Sequence, residues 1–148
     1  MPRSNRLSSD DGTASLEFIV GGVLLLVPIV YLVLTLGTIQ SAALAAEGGA
    51  RQAARVYVVS ATAADGRAGV ETAVEFALAD HGVDASSVDV RITCTPAPTE
   101  CHTPRGFVTV ALALEVPLPL VPAMFGGKLT VPIQASMTQQ VSRFWSPG

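Results

Sequence analysis

Residues Phe18–Ile39 read FIVGGVLLLVPIVYLVLTLGTI, and between Glu17 and Glu47 the only ionisable side chain is Tyr31. At about 1.5 Å per helical residue this run covers about 33 Å, enough to cross a hydrocarbon layer about 30 Å thick. A bilayer core offers no water to the backbone, so such a segment must satisfy its own N–H and C=O groups as a helix. Pro28 is the one helix breaker inside it. It predicts a local kink of the kind membrane helices tolerate.

Outside this run the chain looks like an ordinary small domain. A length of 148 residues suits one modest domain plus an anchor. Only 14% of residues are charged and mean hydropathy is +0.48, but the apolar surplus sits in the one run. The net charge of −3 and a pI near 5.2, with Lys and Arg scattered, leave no basic stripe to grip phosphates. Nucleic acid is therefore not an expected partner. The organisation read from the sequence is a polar leader over 1–12, a transmembrane helix over 13–40, an Ala-rich helical extension over 41–65 and an α+β domain over 66–148.

In the extension, Glu47, Arg51 and Arg55 recur at i, i+4 and line one solvated helical face. Gly48 and Gly49 oppose the helix, at about 1 kcal/mol each relative to Ala. Asp65 and Gly66 are read as a break. A second, amphipathic helix is expected from Arg67 to His81, with Val70, Ala73, Val74, Ala77 and Leu78 inward, His81 on the apolar face and Gly82 as terminator.

The apolar period then switches to two. A half-buried strand is expected over Val88–Cys94, with Val88, Val90, Ile92 and Cys94 inward. A second, central strand is expected over Phe107–Val116, with Val108, Val110, Leu112, Leu114 and Val116 on one face. A third is expected over Lys128–Val141, with Leu129, Val131, Ile133, Ala135 and Met137 inward and Pro132 marking it as an edge strand. The join from Pro117 to Gly127 carries Leu118, Leu120, Val121, Met124 and Phe125. These either pack on the domain or form an exposed docking patch. The fold expected is thus α+β: a long N-terminal transmembrane helix, then a small domain with one amphipathic helix on a three-stranded antiparallel sheet.

The two cysteines, Cys94 and Cys101, flank the Pro-rich loop CTPAPTEC. An even pair in the domain points to a disulfide and an oxidising compartment. The rival is a metal site using Cys94, Cys101 and His102, which lacks zinc-knuckle spacing and a fourth ligand. Arg3 and Arg6 before the membrane run are matched by Arg51 and Arg55 after it, so positive-inside counting is a tie. The short polar N-terminus is the easier end to leave inside. With the disulfide, this places the N-terminus in the cytoplasm and the domain outside it, as a single-pass protein of the cell membrane.

The junction Asp11-Gly12-Thr13-Ala14-Ser15-Leu16-Glu17-Phe18 sets a glycine five residues before a glutamate–aromatic pair, and apolar sequence begins at once. A carboxylate beside a membrane segment is costly and asks for a partner. This junction resembles that of type IV pilin-like precursors. The segment TASLEFIVGGVLLLVPIVYLVL, with AALAAEGGARQAARVYV after it, is similar to the TadE-like pseudopilins of tight-adherence pilus systems. Asp10 and Asp11 depart from the Lys or Arg that many pilin leaders carry there. The resemblance implies cleavage between Gly12 and Thr13 by a prepilin peptidase. It implies that Glu17, followed by Phe18, pairs with the new Thr13 ammonium of a neighbouring subunit. It also implies a structural role in pilus assembly, with membrane lipid, other pilin-like subunits and assembly-platform proteins as partners.

Other functions fit less well. A cleaved secretion signal ending at Ala43-Leu44-Ala45 would need a far shorter apolar run. An uncleaved signal-anchored scaffold or binding domain unrelated to pili differs from the pilin-like reading only in processing and partners. Neither His81 nor His102 falls in a triad, metal or phosphate-loop motif, and Glu71 and Glu75 read as a solvated face. No catalysis, cofactor or metal is expected.

Overall fold

The computed structural model describes residues 13–119 and 129–146. Helix α1 spans Thr13–Val59 and continues through Pro28. Helix α2 spans Ala63–Ala79. Strands β1 (Asp89–Thr95), β2 (Phe107–Pro117) and β3 (Thr130–Gln140) form an antiparallel sheet in the order β1-β2-β3. The protein has an α+β fold, with one helix among the described residues long and apolar enough to cross a membrane. The chain divides into two compact units, one ending at Leu36 and one from Gly37 onward.

In the first unit, large aliphatic side chains point outward all round the helix. Leu24 is 71% exposed and Leu25 67%. No stripe is left to pack on a core, the pattern of a helix solvated by hydrocarbon.

The second unit is built on β2. Its inward residues Val108, Val110, Leu112, Leu114 and Val116 are all buried. In the ladders, Val110 lies between Ile92 and Met137, and Leu112 between Val90 and Ala135. Burial of each such Val, Leu or Ile is worth about 1.5–3 kcal/mol. Pro132 lies on the edge strand β3, where a missing donor need not break a ladder. Leu129, expected inward, is exposed instead: it precedes the strand, and only its carbonyl engages, accepting from the Leu118 N–H. Pro117 ends β2 and Leu118 is half-buried. Lys128 and the apolar residues Leu120, Val121, Met124 and Phe125 lie outside the described residues.

The helix that fills this core is not chiefly the one expected. Ala42, Ala45, Ala46, Ala50, Ala53, Ala54 and Tyr57 of α1 are buried to within about 1%. A Cβ on Gly49 would meet the Ala77 side chain at 3.3 Å and that of Leu112 at 3.5 Å. The Ala-rich stretch of α1 therefore lies between α2 and β2 and is a core element. Its small side chains allow close approach, while Glu47, Arg51 and Arg55 face solvent as expected. Gly69 of α2 is required for the same reason: a Cβ there would come 2.5 Å from Val56 Cγ1.

Helix α2 also begins earlier than expected. Thr62 caps it, accepting from the Asp65 N–H at 3.1 Å and donating to the Asp65 carboxylate at 2.7 Å. Asp65 and Gly66 thus form the first turn, not a break, because the Thr62 side chain caps it by taking the otherwise unpaired Asp65 N–H. Val70, Val74 and Leu78 are buried as expected. The helix stops at Gly82, whose φ of +67° lets the Val83 N–H reach back to the Leu78 carbonyl and the Gly82 N–H to that of Ala79, a Schellman closure.

Candidate functional site

Two places carry chemistry. The first is the start of α1. Thr13 is its first described residue; Gly12 lies outside the described residues. Glu17 follows just over a turn later and is exposed, and Phe18 is 82% exposed. Glu17 stands on an otherwise apolar, outward-facing surface.

The second place is the far end of α1, which sequence reasoning missed. Tyr57, the largest fully buried side chain, stacks on the His102 ring at 5.2 Å with 4° between the planes. His102 stacks in turn on Trp145 at 4.8 Å. A carbonyl only accepts, so His102 carries a proton on Nε2 and donates it to the Tyr57 carbonyl at 3.0 Å, with Ser60 Oγ 3.1 Å away. Ser60 Oγ also donates to the Tyr57 carbonyl at 2.7 Å. The indole N–H of Trp145 donates to the Ser60 carbonyl at 3.0 Å. Helices end with unpaired carbonyls; here the Ser60 and His102 side chains both donate to that of Tyr57, and the Trp145 indole donates to that of Ser60, just past the helix. The residues come from α1, the β1–β2 connection and the C-terminal segment, so no local spacing announces them.

The connection that supplies His102 is tied down one residue earlier. Cys94 and Cys101 form a disulfide, with Cα atoms 5.1 Å apart. Cys94 is buried on β1 and Cys101 lies midway through the connection. The bond therefore fastens the first half of the connection back onto β1 rather than joining the two strands. The metal alternative loses its donors, since both sulfurs are bonded to each other and His102 serves α1.

His81 was expected on the apolar face. It is exposed, and its Nδ1 lies 3.1 Å from Ser41 Oγ of α1. Glu71 and Glu75 are exposed as expected. Among the described residues the one ion pair joins Arg91 to Asp89 at 3.5 Å on the open side of β1. No family model, curated protein or solved structure matches the chain.

Proposed function

We propose that this protein is a minor pilin-like structural subunit in assembly of a tight-adherence-type pilus, held in the cell membrane by residues 13–40. In this reading the N-terminus is cytoplasmic and the α+β unit extracytoplasmic. A prepilin peptidase removes residues 1–12, and Glu17 pairs with the Thr13 ammonium of a neighbouring subunit. Each ion alone is poorly solvated at the membrane edge. Pairing offsets that cost and fixes the stagger of adjacent helices.

One observation carries the reading. A single helix, described from Thr13 on, bears an exposed Glu17 beside exposed apolar side chains and supplies, in its later part, the core helix of a small antiparallel-sheet unit. That is the construction a subunit needs if it is to leave a bilayer by packing its own anchor against those of its neighbours. The disulfide Cys94–Cys101 supports the extracytoplasmic placement, since such bonds persist in oxidising compartments.

The test is Glu17→Ala in cells that make the pilus. Membrane insertion is expected to be retained, while co-purification with the other pilin-like subunits and surface filaments falls about tenfold or more, in line with loss of a buried ion pair. Unchanged assembly would remove the mechanism and leave a signal-anchored scaffold as the better account.

A further inference from the structure

We infer that the Cys94–Cys101 disulfide controls the docking of the C-terminal segment onto the end of α1, with His102 as the link. This inference is independent of the pilus reading.

The argument follows the covalent chain. Cys101 and His102 are adjacent, so the disulfide fixes the backbone from which the imidazole projects. That imidazole is the middle member of the three-ring stack and the donor to the Tyr57 carbonyl. Trp145 rests on its outer face and closes the Ser60 carbonyl. Remove His102 from its position and Trp145 loses its ring partner, while the last turn of α1 loses one of its donors. The connection is held on both sides of His102: by the disulfide before it, and after it where the Arg105 N–H bonds the Val141 carbonyl, the Val141 N–H bonds the Gly106 carbonyl and the Gln140 amide N–H bonds the Arg105 carbonyl. The Thr103 N–H and hydroxyl both bond the Glu100 carbonyl, and the Gly106 N–H bonds that of Thr103, so those contacts are local to the loop. The disulfide is thus the restraint directly adjacent to His102, while the ties to Gln140 and Val141 begin three residues beyond it at Arg105.

The bond is also open to exchange from one side. Cys94 is 4% exposed, whereas Cys101 is only partly covered. A dithiol reductant attacks through its thiolate at Cys101 Sγ. The mixed disulfide forms there and Cys94 leaves as a thiolate that takes a proton. The second thiol of the reductant then closes its own disulfide and releases Cys101 as a thiol. Two electrons pass from the dithiol to the cystine. The released loop lets His102 leave the stack, and Trp145 and the last turn of α1 loosen while the sheet stays folded. The structure so contains a redox-sensitive clasp on the end of its core helix.

The experiment uses the full chain in detergent micelles with dithiothreitol as reductant. Trp145 is the only tryptophan, so its emission maximum and acrylamide quenching report the clasp directly; both are read in preference to intensity, which a disulfide can quench on its own. Reduction is expected to shift the emission to longer wavelength and raise the quenching constant about twofold. Amide exchange should speed about tenfold over Tyr57–Ser60 but not over Val108–Leu114 of β2. His102→Ala, with the disulfide intact, should show the exposed Trp145 before reduction and no further shift after it. Reduced protein with unchanged Trp145 emission and quenching would overturn the inference. So would loss of β2 protection on reduction, which would make the disulfide a global staple, or a His102→Ala protein that still responds to reduction like the parent.

Discussion

The two halves of α1 are one helix facing two environments. Up to Leu36 its large aliphatic side chains are exposed on every side. From Gly37 to Val59 its alanines other than the half-buried Ala43 are buried to near completion. The more hydrophobic half by composition is the one with no protein core around it. The less hydrophobic half is the core. Apolar character therefore says that a segment avoids water, while side-chain size says what replaces the water. Leu, Ile and Val in all directions suit hydrocarbon. Ala and Gly on one face suit close contact with another element.

That contrast can be broken deliberately. The largest effect on the second unit is expected from Tyr57→Ala, which empties the biggest buried site and removes the ring beneath His102. It should cost about 3–5 kcal/mol in denaturant unfolding of that unit. Leu25→Ala, in the first unit, should leave the same transition unmoved. Next comes Leu26→Arg. It should lower membrane integration by an amount equivalent to about 2.5–3.5 kcal/mol, read as the fraction extracted at alkaline pH, without changing the melting of the second unit. Ala50→Leu tests the reverse case. A more hydrophobic side chain placed where α1 meets the core should destabilise by about 1–3 kcal/mol through overpacking, whereas the same residue type is abundant and harmless a few turns earlier.

The smallest effect concerns Asp84, well outside the apolar run. The Ser86 backbone N–H, 2.9 Å from its carboxylate, and then the Ser86 hydroxyl hold its pKa below the ordinary value. A depressed carboxylate stabilises the fold above its unfolded pKa, and the contribution is lost as pH falls through the folded value. Asp84→Ala should thus lower the melting temperature slightly at neutral pH, and the gap to the parent should close only in strong acid. A gap that widens on acidification would contradict the assignment.

Much of this was legible in the sequence. The period-two runs gave β1, β2 and β3 to within a few residues, because each buried residue on β2 alternates with Thr, Ala or Glu. Gly82 announced its left-handed turn. The Ala-rich stretch was harder. Alanine marks neither face strongly, and the exposed Glu47, Arg51 and Arg55 drew attention to the solvated side instead of the buried one. Thr62 and Asp65 carried a capping signature, but the Asp65-Gly66 pair imitated a turn. Leu129 fitted the strand's alternation and failed because the strand begins one residue later. The Tyr57–His102–Trp145 stack had no local signal at all: the Tyr57 and His102 partners are 45 residues apart and those of Ser60 and Trp145 are 85. Only the packed fold brings them together.

The central claim is that the apolar half of α1 is the anchor of a processed pilin-like precursor. Its most direct test is the intact mass of the membrane-extracted protein from cells with and without the matching prepilin peptidase. The account predicts a chain beginning at Thr13 when the peptidase is present and one retaining residues 1–12 when it is absent. The same unprocessed mass in both would contradict it.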